Sequence, residues 1–222
     1  MAAWVRSVNG GVRSQGSGTE VTVSSPSPTA GDLVLCFLLF NGGTGVTITP
    51  PADFTLVARD DSGTAIGMAL YEGIAPIASF LFTITDEDFT VASLAIADAD
   101  QLDAVRSSAI EDAASGTSVM APGSLSIENG LLISTFGVDA NTSFTGPSDM
   151  TEQRDSGQVG NPTVAIYSRP MLLASDDTTR AAVAGAAGVN IGSTIVVASS
   201  RRVREEFGVS MLLDGMGGES FV

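Results

Sequence analysis

Apolar and polar positions alternate along this chain in short segments. Stretches rich in Val, Ile, Leu, Phe and Thr recur, each bounded by Gly, Pro, Asn or Asp, and few windows carry a helical period. The pattern predicts an all-β protein. In the first half it predicts strands over 20–24, 33–40, 44–49, 54–59, 65–73, 80–85 and 91–97. In the second half the predicted strands are 131–138, 150–154, 163–168, 180–184, 193–197 and 208–213. Asn41-Gly42-Gly43 and Asp61-Ser62-Gly63 supply turn chemistry, and Pro50-Pro51 and Pro147 mark points where a central strand cannot continue. One stretch, 101–114, reads as a helix through its formers Leu102, Ala104, Arg106 and Glu111, or as a linker, because Ser107-Ser108 and a weak apolar stripe argue against a helix.

The halves align with each other. Ser17-Gly18-Thr19 matches Ser115-Gly116-Thr117, Val21 matches Val119 and Leu33 matches Leu131, all at one spacing. Further on, Pro51-Ala52-Asp53-Phe54-Thr55 matches Pro147-Ser148-Asp149-Met150-Thr151. Arg59-Asp60 then meets Arg154-Asp155, Ser62-Gly63 meets Ser156-Gly157, and Tyr71 meets Tyr167 within short gaps. The expected architecture is an antiparallel β-sandwich, jelly-roll-like, with two internally repeated halves. Its expected extent is 17–215, with halves at about 17–100 and 115–215, an N-terminal arm at 1–16 and a C-terminal tail at 216–222. The segment between the halves lacks the Pro-rich or Gly/Ser-rich composition of a free linker, and a half buries proportionately less surface than the whole. One sandwich with interlocking halves is therefore expected over two tandem domains.

Composition narrows the chemistry. The 222 residues carry a net charge of -15, and the 10 basic residues are all arginine, with no lysine and no histidine. A phosphate-loop lysine, Schiff-base chemistry, a histidine general base and the commonest zinc ligand are all excluded. The acidic balance opposes nucleic acid as a partner, because phosphate contacts need a positive face. Cys36 lies within the apolar run Leu33-Val34-Leu35-Cys36-Phe37-Leu38-Leu39-Phe40, where a lone cysteine reads as a small buried hydrophobe. That run falls far short of the length that crosses a bilayer as a helix, so no membrane span is expected. The opening Met1-Ala2-Ala3-Trp4-Val5-Arg6 carries no extended apolar core, and no secretory signal is expected in it.

Candidate chemistry lies in the charged residues. Asp60-Asp61, Asp86-Glu87-Asp88, Asp98 with Asp100 and Asp103, and Asp176-Asp177 are acidic clusters, yet none has the ligand spacing of a calcium loop, so solvated connections are expected and no metal or other cofactor. Two carboxylates can hydrolyse a glycosidic bond without histidine or lysine, but no pair stands out; only Glu72 sits within an apolar strand. A glycan-binding surface would use aromatic faces, and Trp4, Tyr71 and Tyr167 are the only Trp or Tyr residues. The run Arg201-Arg202-Val203-Arg204-Glu205-Glu206 concentrates guanidinium groups that pair with carboxylates in bidentate geometry. Arg201, Arg202 and Arg204, with the apolar end Phe221 and Val222, are the candidate partner contacts; a locally neutralised hairpin and a frayed terminus are the alternatives. Gly185-Ala186-Ala187-Gly188 reads as a small-residue turn between strands.

Gly31-Asp32-Leu33-Val34, then Pro50-Pro51-Ala52-Asp53-Phe54-Thr55-Leu56-Val57, then Ala69-Leu70-Tyr71, resemble a β-sandwich family of bacteriophage virion structural proteins, with related stretches in bacterial surface proteins. The resemblance spans about Thr19 to Asp214. Such families carry a tryptophan after the proline turn, where this chain has Phe54 and, in the second half, Met150. The resemblance implies a non-enzymatic virion protein, of the head decoration, spike or tail-fibre type, held in several copies on the particle. Its implied partners are capsid or tail proteins and further copies of itself, a trimer being one such assembly. The alternative is a glycan-binding adhesin or receptor-binding module on a fibre or bacterial surface, with a host-surface glycan as ligand.

Overall fold

A computed structural model describes residues 2–14, 20–24, 26–75, 79–85, 87–123, 127, 129–157, 161–171 and 178–200. Among the described residues, fourteen strands order the chain. The first half comprises β1 (Trp4–Ser14), β2 (Glu20–Ser24), β3 (Leu33–Asn41), β4 (Ile48–Thr49), β5 (Thr55–Ser62), β6 (Ile66–Ile74), β7 (Ser79–Ile84) and β8 (Phe89–Ala97). The second comprises β9 (Val105–Ala121), β10 (Leu131–Val138), β11 (Phe144–Thr145), β12 (Thr151–Asp155), β13 (Thr163–Pro170) and β14 (Arg180–Val197).

Every strand pairing is antiparallel. The first half builds a large sheet, β1-β8-β3-β6-β5, and a small one, β2-β7-β4. In the second half β11-β14-β10-β13-β12 form a path along which β9 pairs with β14. Read from β9, that sheet runs β9-β14-β10-β13-β12, the order of the first large sheet strand for strand. The far part of β14 is flanked by β9 and β11 as β7 is by β2 and β4. The irregularities correspond as well: β1 and β9 shift register at Arg6 and Arg106, while β5 and β12 shift at Val57 and Gln153.

The layers follow from which faces are apolar. The two large sheets pack face to face, burying Leu35, Phe37 and Leu39 of β3 with Leu94 of β8 against Ile133 of β10 and Ile195 of β14. On its other face the first large sheet buries Cys36, Leu38, Phe40 and Tyr71 under Phe82 and Ile84 of β7. The second buries Phe136 and Tyr167 with Val119, Ala121, Ala182 and Ala184, the far ends of β9 and β14, and Phe144. Strand β3 is thus buried on both faces, which explains why 33–40 is apolar throughout instead of alternating. At their edges, β5 lies beside β9 and β1 beside β12.

The all-β antiparallel sandwich is as expected, and 20–24 and 131–138 are strands over those very residues. Four expectations change. Residues 101–114 form no helix: β9 begins at Val105 and is held by its ladder to β14, an inter-strand partnership that overrides local helix preference. The expected arm at 1–16 supplies β1, an edge strand on β8. The expected strands 180–184 and 193–197 are one strand, β14, and the Gly185–Gly188 stretch is where it shifts register against β9 rather than a turn. The expected strand 44–49 is instead a 3-10 turn at Gly43–Gly45 followed by the two-residue β4. The predicted strand 208–213 and the tail 216–222 lie outside the described residues.

Candidate functional site

Where β3 begins and β6 ends, the central face of the first large sheet opens into a cleft of about 520 Å³. Its walls include Leu33, Asp53, Thr55, Glu72, Gln101 and Asp103. Asp53 comes from a turn, and Thr55 begins β5 just after it. Phe54 N donates to Pro51 O at 3.0 Å, and the Phe54 ring is buried 5.9 Å from that of Phe82, which fixes the turn and leaves Asp53 on the rim. Thr55 pairs directly with Glu72, so their side chains share one face. That face is the one carrying Ile66, Met68 and Leu70 into the core; Glu72 continues it past the end of the packing.

The opposite wall is the connection between the halves. Gln101 Nε2 donates to Gly31 O at 3.0 Å, and Gly31, at φ +89°, leaves room for that amide: a Cβ there would lie 2.7 Å from Nε2. Leu102 N donates to an Asp100 oxygen at 3.0 Å, and the Leu102 side chain projects, 93% exposed, at the mouth. Arg106 pairs with Asp100 at 3.0 Å and with Asp103.

The electrostatics are one-sided. Burial, then the negative charge of Asp103, push the Glu72 carboxyl above the usual glutamate range. Glu72 Oε2 is buried without a hydrogen-bond partner. Among the described residues Asp53 and Glu72 have no ion pair and no aromatic ring lines the cleft. Its carboxylates suit a cationic or hydrogen-donating group. No three His, Cys, Asp or Glu side chains among the described residues are grouped to hold a metal ion.

The other half shows what the scaffold itself requires. Ser168 stands in β13 where Glu72 stands in β6, opposite Thr151 as Glu72 is opposite Thr55. Asp149, two residues before Thr151 as Asp53 is before Thr55, pairs with Arg169 at 2.9 Å and Arg180 at 3.5 Å. A carboxylate at Glu72 is thus no condition of the fold.

Of the residues singled out from sequence, Glu72 and Asp103 lie in the cleft, whereas Arg201, Arg202, Arg204, Phe221 and Val222 lie outside the described residues, as do Asp86, Asp176 and Asp177. Asp61 is paired with Arg59 at 3.0 Å. Tyr71 and Tyr167 are packing residues, 5.3 Å from Phe82 and 5.8 Å from Phe136. Trp4 is 43% exposed, with the Arg6 guanidinium 5.1 Å from its ring. Cys36 is buried, and burial pushes its thiol well up. Sequence reasoning missed Asp53, Gln101 and Asp103 as partners of Glu72. The available signal was an acidic residue after Pro51 and a polar cluster just before β9, far apart along the chain.

No helix among the described residues is long and apolar enough to cross a membrane. Compared with family models, curated proteins and solved structures, the chain matches none.

Proposed function

We propose that this protein is a non-enzymatic structural component of a bacteriophage particle, attached to the capsid or tail surface in several copies. The observation that carries the reading is the strand order of the first half, β1-β8-β3-β6-β5 with β2-β7-β4, which resembles a jelly roll in all but the place of β5, together with the order β9-β14-β10-β13-β12 in the second half. Jelly rolls are the architecture of viral capsid and lectin domains, so the support lies at the level of fold. The residues that carry the virion resemblance are scaffold residues: Asp32 is buried at the start of β3, and Ala69, Leu70 and Tyr71 are buried in β6. On this reading the halves are two copies of one jelly-roll unit, as their matching strand order and register shifts suggest. Tagged protein mixed with particles lacking it should co-sediment and saturate. Binding that never saturates, or none, rejects the proposal.

A second reading, a glycan-binding module, is favoured by one observation, the exposed Trp4 ring at the start of β1. Exposed tryptophan can stack on a sugar face. Host polysaccharide should then quench the fluorescence of this sole tryptophan, and unchanged emission across host glycans removes this reading.

A further inference from the structure

We propose that Asn129 is a self-modifying site, at which the backbone nitrogen of Gly130 attacks the asparagine side chain and converts it to aspartate and isoaspartate. The inference stands on local geometry and does not rest on the virion reading.

The reaction needs an amide side chain followed by a residue whose backbone nitrogen is open to approach. Glycine serves best, because it has no side chain to shield that nitrogen. Asn-Gly occurs three times, at Asn9-Gly10, Asn41-Gly42 and Asn129-Gly130, and the fold separates them. Asn9 and Gly10 lie in the ladder of β1 with β8, opposite Ser93 and Ala92. Asn41 ends β3, and Gly42 N is engaged, donating to Ala65 O at 3.1 Å. Asn129 is exposed in the turn before β10, and Gly130 N donates to no acceptor among the described residues.

Each member of the pair answers to a separate need of the fold. Asn129 is left-handed, at φ +57°, a conformation that asparagine tolerates. Its counterpart in the first half, standing before Leu33 as Asn129 stands before Leu131, is Gly31 at φ +89°. Gly130 is glycine for reasons of space: a Cβ there would lie 2.7 Å from Ile127 Cγ1 and 3.1 Å from Val197 O. Its carbonyl accepts from Met171 N at 2.8 Å, as that of Asp32 accepts from Ala75 N at 2.9 Å. Turn conformation and close packing thus set a reactive pair at the entrance to β10, the middle strand of its sheet.

The chemistry consumes only water. Gly130 N gives its proton to solvent and bonds to Asn129 Cγ; the Cγ–Nδ2 bond breaks, and Nδ2 takes up a proton and leaves as ammonia. Water then opens the cyclic imide. Attack at Cγ restores the main chain and leaves aspartate. Attack at the Asn129 main-chain carbonyl carbon leaves isoaspartate, with the main chain rerouted through Cβ and Cγ. Either product adds negative charge to a chain already at -15, and isoaspartate also lengthens the backbone directly ahead of β10.

Peptide mass spectrometry tests this on the native full chain, aged in heavy-oxygen water and digested in ordinary water. Asn129 should convert at least about tenfold faster than Asn9 and Asn41, which react only when their strands open, and its products should carry one heavy oxygen. Native conversion of Asn129 no faster than that of Asn41 overturns the proposal. In denaturant the three rates should converge; rates that stay apart would trace the preference to sequence instead of the turn, and also overturn it. The variant Asn129→Gly, keeping the left-handed turn as Gly31 does, should fold normally and give no isoaspartate in the tryptic peptide 107–154. Isoaspartate persisting in that peptide removes the assignment to Asn129.

Discussion

Leu39 of β3 and Gly137 of β10 meet across the core between the two large sheets, and each is the other's equivalent in sheets of the same strand order. Leu39 lies between Met68 and Thr90; Gly137 lies between Val164 and Ile191. A Cβ on Gly137 would sit 2.5 Å from Leu39 Cδ1. At this contact one residue must be small because the other is large.

Gly137→Ala should therefore destabilise the protein, by about 1–3 kcal/mol, because Leu39 is fully buried and cannot swing aside. Leu39→Ala alone should cost about 2–5 kcal/mol. The two together should cost less than their sum in denaturant unfolding, since the new methyl occupies the space the leucine leaves. Additive costs would mean the sheets do not meet at these residues.

Arg6 and Arg106 occupy corresponding register shifts but do different work. Arg6 Nε donates to Asp32 Oδ2 at 2.7 Å, and the Asp32 side chain is only 6% exposed, with Thr29 N as a further donor at 2.8 Å. Arg106 holds two more open carboxylates. Arg6→Ala should cost about 1–2 kcal/mol, the lower part of the range for a stranded buried acceptor because Arg6 is itself partly solvated, and Arg106→Ala below about 1 kcal/mol. Thermal midpoints that fall equally would refute this ranking.

Alkaline pH gives a third test. Burial pushes Tyr71 up against the opposing pull of Arg59, while burial, the Glu152 charge and hydrogen bond, and the Asp155 charge push Tyr167 well above the usual range. With the folded values raised, stability from both hydroxyls is fully present below the ordinary tyrosine value near pH 10 and declines as pH rises past it. Absorbance at 295 nm should report less phenolate at pH 10 in the native protein than in the unfolded chain, which is about half ionised there. Native and unfolded titrations that coincide would contradict the burial of both rings.

Sequence pattern revealed the strands whose apolar content is decided by burial, and it failed where pairing decides. β3, β6, β8 and β10 are nearly continuous apolar runs buried on both sides. By contrast β9 is an edge strand of small and polar residues, and only its ladder to β14 makes it extended. In β1, Asn9-Gly10-Gly11 reads locally as a turn. The matched segments Val5-Arg6-Ser7 and Val105-Arg106-Ser107 were the overlooked signal for both. Register also moves one alignment: opposite β6 and β13, Arg154 stands where Ala58 does, and Asp155 where Arg59 does, so the two arginines face opposite sides. Of the cleft, Glu72 and Asp103 stood out in sequence but not as neighbours, because Asp53 and Asp103 reach Glu72 through a turn and a connection that no local pattern joins.

The central claim, a structural place on a phage particle, is tested most directly by quantitative mass spectrometry of gradient-purified particles from cells expressing the chain. The account predicts the protein at a fixed copy number above one per particle, retained through repeated banding. Absence from the particles, with the chain recovered free in the lysate, would contradict it.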